Sequence, residues 1–224
     1  MASRREPVRT ALAAAVAGAL LLAACGSDGS DASSTAEPDR AEIAERTEIE
    51  GLQRDDPLEV GDVTLPEVVA DDATEPFALR AEPGGLLFAA FGYTNCPDVC
   101  PTTLSDIRKA LALMDPADAE RVDVAFATVD PARDTPDVMA AYLGSFVEDG
   151  HPLRTDDPAA LQAAEDALGI TSQVVENDEG RIEVAHTARS FVIDEDGRVV
   201  VEWAFGTGAD VMASDLRLLL AERT

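Results

Sequence analysis

The sequence predicts an α/β chain, a sandwich whose central mixed sheet is flanked by helices and preceded by short N-terminal strands. Three observations predict it. Two apolar runs, residues 86–91 and 122–129, have the length of buried strands. Between them, Leu104, Ile107, Leu111 and Met114 recur at helical spacing. Near the C-terminus, residues 190–193 and 198–204 form a hairpin pattern around Asp196-Gly197, followed by a helical stretch over 209–221. The chain is long enough to bury a core without covalent staples.

The first residues read as a leader. Arg4, Arg5 and Arg9 make a positive start, residues 11–22 are apolar but short for a bilayer span, and Leu22-Ala23-Ala24-Cys25 closes the stretch with small residues. That ending resembles a bacterial lipobox, which implies cleavage before Cys25 and lipidation of that cysteine on the outer face of the cytoplasmic membrane. An ordinary signal peptide with a chance cysteine is the alternative. On the first reading, residues 1–24 are a lipoprotein signal peptide and 25–50 are the lipidated cysteine with a flexible acidic tether rich in Ser, Asp, Ala and Glu. Residues 51–224 are then the folded domain.

Charge narrows the partners. With 44 acidic and 17 basic residues the chain carries a net charge of −27, so nucleic-acid phosphates and anionic lipid repel it. Contact with a membrane is expected only through the lipid anchor. Most of the carboxylates are read as a solubilising surface.

Within the domain, residues 58–65 and 77–81 read as two short strands before the Pro83-Gly84-Gly85 turn. After the strand at 86–91 and the helix over 102–114, the run 122–129 ends in Asp130-Pro131. A helix is expected from Pro136, capped by Thr135, with Val138, Met139, Tyr142, Leu143 and Phe146 on one face. Residues 150–157 read as a loop, and 158–168 as a helix closed by Gly169. Two arms, 173–176 and 181–184, flank the turn Asn177-Asp178-Glu179-Gly180. The order fits a sandwich of thioredoxin type.

The chemistry concentrates where the first buried strand meets its helix. Cys96 and Cys100 stand in Gly92-Tyr93-Thr94-Asn95-Cys96-Pro97-Asp98-Val99-Cys100-Pro101. Pro97 and Pro101 lack amide hydrogens and fix φ, which places the thiols in a kinked loop and first helical turn. Helix N–H groups there favour thiolate, and Asp98 opposes it. A bridge across so short a loop removes little unfolded-state entropy, so stability is a poor explanation for the pair. A reactive or metal-binding pair is the default.

Only two histidines can complete a site. His151, in Asp149-Gly150-His151-Pro152, is read as a surface residue. His186 stands ahead of the strand beginning near Ser190, in a loop that approaches the cysteine corner in thioredoxin-like folds. There is no proline from 181 to 198, where the oxidoreductases of that fold keep a cis-proline. Two thiolates and an imidazole suit copper, and zinc only with a fourth ligand or water. The spacing alone is common by chance.

Three runs taken together are far more specific: the cysteine motif, Val129-Asp130-Pro131-Ala132-Arg133-Asp134-Thr135-Pro136, and His186 ahead of Phe191-Val192-Ile193-Asp194-Glu195-Asp196-Gly197. In order and approximate spacing they resemble the Sco/SenC family of copper metallochaperones. The resemblance covers roughly residues 86–219. It implies a thioredoxin-like fold that holds copper through Cys96, Cys100 and His186. It also implies delivery to cytochrome c oxidase, at the copper-site subunit II, or to another copper protein, by a monomer. The resemblance gives the loop after Val129 a place beside the metal, with Asp130 as a docking or supporting residue. Residue by residue, the plainer expectation is Thr135 capping a helix and Arg133 pairing with Asp134. The chain departs from the family at Ala185 and Thr187, where Asp and Ser are usual around the histidine. It departs again at His151-Pro152-Leu153-Arg154-Thr155, where a Leu-Thr-Gly phrase is usual.

A second reading keeps the same residues. Cys96 and Cys100 would cycle between dithiol and a Cys96–Cys100 disulfide, as a thiol-disulfide reductase holding a target's copper-site cysteines reduced. A peroxidatic enzyme lacks its expected Thr and Pro ahead of a single cysteine. An inert exported domain leaves three coincident motifs unexplained.

Overall fold

The computed structural model describes residues 45–69 and 73–223. The expected leader, Cys25 and the tether as far as residue 44 lie outside the described residues.

The longest apolar run becomes the middle of the sheet. β3 (Leu86–Gly92) is buried at every position because β4 (Val122–Thr128) pairs parallel on one side, β8 (Arg189–Ile193) pairs antiparallel on the other, and helices cover both faces. Its side chains alternate between two cores. Leu86, Phe88 and Ala90 join one with Cys100, Leu104, Ile107, Phe126, Trp203 and Leu216, while Leu87, Ala89 and Phe91 join the other with Ala164, Leu168 and Phe191.

β1 (Thr64–Val68), β2 (Thr74–Ala78), β5 (His151–Leu153) and β9 (Val199–Ala204) complete a seven-stranded sheet in the order β2-β1-β5-β4-β3-β8-β9. β6 (Ser172–Glu176) and β7 (Ile182–His186) form a separate antiparallel pair. The helices are α1 (Val99–Leu113), the single turn α2 (Pro116–Ala119), α3 (Pro136–Gly144), α4 (Pro158–Leu168) and α5 (Ala209–Ala221). Buried residues of α1, α3 and α5 line the first core and those of α4 the second. The expected α/β sandwich of thioredoxin type, with a mixed sheet between helices, is the fold observed. No helix among the described residues is long and apolar enough to cross a membrane.

Several expectations change, and the strand read over 77–81 lies at Thr74–Ala78. The strand read over 58–65 is split: Val60 N–H donates to Gly197 O at 2.7 Å and Glu59 bridges Arg198, whereas β1 starts only at Thr64. Gly61 lies against Gly197, which has φ 79°, so close that a Cβ on Gly197 would be 2.2 Å from Gly61 Cα. Glycine at both positions permits that crossing. The loop read over 150–157 contains β5, which pairs parallel with β4 through Ala125↔His151 and Ala127↔Leu153. Three residues around Pro152 carry no alternation, and only the gap between β1 and β4 makes them a strand.

His151, read as a surface residue, is instead half-buried, its side chain 26% exposed. Its Nδ1 lies 2.8 Å from Glu67 Oε1 on β1 and its Nε2 lies 3.8 Å from Asp123 Oδ1 on β4. The imidazole is held above its ordinary pKa, by Asp123 foremost and also by Glu67, against the lowering effect of burial.

The N-terminal strap is tied to α5. Asp215, fully buried, accepts the backbone N–H of Glu50 and of Gly51 and the indole N–H of Trp203, each at 2.9 Å. Arg46 pairs with Glu50 and Asp210.

Candidate metal centre

The pairing directions bring three loops to one end of the sheet. β3 and β4 run parallel, so residues 93–98 and 129–135 leave it together, and β8, antiparallel to β3, starts there just after His186. Cys96 lies in the turn before α1 and Cys100 is the second residue of that helix. The N–H of Cys100, one of those that a helix start leaves without an intrahelical acceptor, donates to Cys96 Sγ at 3.2 Å. Pro101 brings no N–H, and the first helical bond runs from Thr102 N to Asp98 O at 3.1 Å. Both cysteines are free thiols, Cys96 half-buried and Cys100 buried.

Gly92 makes room for the second sulfur. A Cβ there would lie 2.6 Å from Cys100 Sγ and 2.9 Å from Phe126 Cζ. Burial pushes the Cys100 thiol well above the usual range, and the Cys96 side chain adds to the effect. At Cys100, desolvation outweighs the thiolate preference expected of a helix start.

His186 ends β7 and turns its ring onto the pair. Its Nε2 is 3.6 Å from Cys100 Sγ, and its Nδ1 is 3.1 Å from the carbonyl oxygen of Thr187. A carbonyl only accepts, so Nδ1 carries the proton and Nε2 presents a lone pair towards the sulfur. Burial lowers the pKa of His186, which keeps the imidazole neutral. Thr187 is itself pinned, its N–H donating to Thr171 O at 2.9 Å and its hydroxyl accepting from Thr171 N at 3.1 Å. Orientation of the ring therefore comes from a backbone carbonyl, to which the departures at Ala185 and Thr187 are no obstacle.

The sulfurs and a ring nitrogen of Cys96, Cys100 and His186 all lie within 4.8 Å of one another. Two soft donors and one borderline nitrogen at that separation fit a copper ion.

Supporting contacts surround them, among them those of Tyr93 and Thr128, to which the sequence reading gave no role. Tyr93 meets the His186 ring edge-on, centroids 6.0 Å apart at 88°. The Arg133 guanidinium stands 5.9 Å over the Tyr93 ring and pairs with Asp130, whose side chain is 2% exposed. Asp130 thus reaches the site through Arg133 and Tyr93, not by touching a ligand. Arg133 pairs with Asp130 and not with Asp134 as expected. Asp134, fully buried, accepts instead from Thr94 N at 3.0 Å, from the Thr94 hydroxyl and from Thr128 Oγ1 at 2.6 Å, which locks the 130–135 loop to the cysteine loop. Thr135 occupies the cap position of α3, yet its side chain makes no capping bond.

Comparison with known proteins covers the stretch that contains these residues. A family model described as SCO1/SenC matches residues 68–221. A protein of Stutzerimonas stutzeri named "Putative copper-binding protein" is 33% identical over 129 residues, 58% of this chain and 63% of that one, so the match spans under two thirds of the relative. Among solved structures, apo Sco1 of Thermus thermophilus is 32% identical with a TM-score of 0.63, over 77% of this chain and 97% of that one. ScoI of Bradyrhizobium japonicum with copper bound is also 32% identical, with a TM-score of 0.58, over 69% of this chain and 96% of that one.

Proposed function

The chain belongs to the SCO1/SenC family, and from that premise we propose that it is a copper metallochaperone, anchored outside the cytoplasmic membrane through lipidated Cys25, that carries copper for assembly of a cytochrome c oxidase copper site. Copper is its cargo. The observation that carries the reading is the convergence of Cys96 Sγ, Cys100 Sγ and His186 Nε2, with the far side of the imidazole already held by Thr187 O. Cu(I) suits the thiolates, and the imidazole makes the set hospitable to Cu(II) as well. Both cysteines must lose protons to coordinate, and burial holds the Cys100 thiol high, so affinity falls as pH drops. Release to the copper-site subunit, subunit II, or to another copper protein proceeds by exchange onto the recipient's own thiols.

Copper titration of the reduced chain, followed spectroscopically, tests this. One equivalent is expected in wild type, with retention lost in Cys96→Ala and weakened in His186→Ala. Equal stoichiometry in wild type and Cys96→Ala sinks the reading. The anchor has its own test: blocking signal peptidase II should change the mobility of the protein in cells, and unchanged mobility counts against lipidation at Cys25.

The accessibility of the two sulfurs favours a second activity. Cys96 is half-buried and Cys100 buried, which suits an attacking thiol backed by a resolving one. Cys96 would attack a target disulfide, and Cys100 would then displace the second target thiol. Two electrons and two protons pass to the target and leave a Cys96–Cys100 disulfide. His186→Ala separates the roles, because it should cripple copper retention while sparing disulfide exchange.

A further inference from the structure

We propose that Arg154 is a positioning residue for the metal centre, a clamp at the end of β5 that fixes the 130–135 loop and, through Asp134, the spacing of the cysteine loop. Arg154 follows β5, where its backbone N–H donates to Pro66 O on β1 at 2.8 Å. Its guanidinium is turned inward, with a side chain 16% exposed. Nε donates to Asp134 O at 2.8 Å and Nη2 donates to Pro131 O at 3.0 Å. Nη1 and Nη2 also form a forked pair with Asp156, at 2.7 and 2.6 Å. One planar group thus holds two carbonyls of the loop while a carboxylate holds the group.

The loop so held is the one that sets the cysteine loop. Asp134, whose carbonyl Arg154 grips, uses its carboxylate to take the N–H and hydroxyl of Thr94, two residues before Cys96. On the other side of the same loop, Asp130 holds Arg133 over Tyr93, against the ring of His186. A loop that drifted would loosen both arms together. Lysine cannot replace this contact, since one ammonium does not reach two carbonyls and a carboxylate in a single plane.

The inference rests on the copper-carrying reading for its affinity measurement but not for its amide measurement. In the full reduced chain, hydrogen exchange at the Thr94 amide is compared with that at Ala89 in β3 and Val192 in β8, for wild type, Arg154→Ala and Arg154→Lys. Arg154→Ala is expected to speed Thr94 exchange about tenfold and to lower copper affinity about tenfold, with Ala89 and Val192 unchanged. Arg154→Lys should give the same pattern to a smaller extent, and it decides by the same readout if the alanine variant does not fold. An unchanged Thr94 overturns the inference. So does a rise at Thr94 matched by Ala89 and Val192, which would be a general loss of stability. Failure of the wild-type chain to bind copper would sink the functional reading, and Thr94 exchange would still decide the role of Arg154.

Discussion

At the scale of single residues, the site depends on a missing side chain as much as on those present. Gly92 ends β3 with an ordinary strand environment, and its importance comes from Cys100 Sγ and the Phe126 ring lying where a Cβ would go. In Gly92→Ala the added methyl must push the Cys100 sulfur or the ring aside, at a cost of about 1–3 kcal/mol. Thermal denaturation should show that loss, and copper titration should show weaker binding because one donor has moved relative to His186. Wild-type values in both would mean that the strand end shifts freely. His186 shows the complementary case, in which a candidate ligand's tautomer is decided by its neighbour's carbonyl and not by any side chain.

At the scale of elements, β5 links a pH-sensitive contact to the edge of the sheet. His151 lies between Glu67 on β1 and Asp123 on β4, and both raise its pKa in the folded chain. The folded state then binds a proton more tightly than the unfolded one, so stability from this contact is full below the ordinary value of 6.5 and is lost as pH rises through the raised folded value. Urea denaturation of wild type and His151→Gln at pH 5.5 and pH 8.5 is the check. The wild-type advantage should be larger at the acid pH. An advantage that grew with pH would show that His151 is held neutral. The same strand delivers Arg154 to the 130–135 loop, so an element that looks like loop in sequence organises the approach to the candidate metal centre.

At the scale of the whole molecule, the buried Asp215 joins the N-terminal strap, β9 and α5. Asp215→Ala would leave the indole N–H of Trp203, in a buried bond, and the part-buried backbone N–H groups of Glu50 and Gly51 without their acceptor. We expect a loss of about 3 kcal/mol in denaturant unfolding, with copper affinity of the remaining folded fraction unchanged, because none of the three groups bonded to Asp215 lies in a donor loop. A loss within ~0.5 kcal/mol would mean that the strap is readily resolvated.

The sequence by itself determined the α/β alternation, the strand-to-helix corner with its two thiols, and the choice of His186 over His151. Apolar period, proline placement and motif order are local properties and survive without coordinates. It did not determine that Arg133 pairs with Asp130 while Asp134 takes Thr94 and Thr128, because adjacent charges along a chain say nothing about which way each side chain turns once buried. Nor could it find β5, whose three residues become a strand only by filling the gap between β1 and β4. The tertiary structure alone decided the distance between His186 and Cys100, since contacts across 86 positions of sequence are set by how strands order in the sheet and not by any pattern along them.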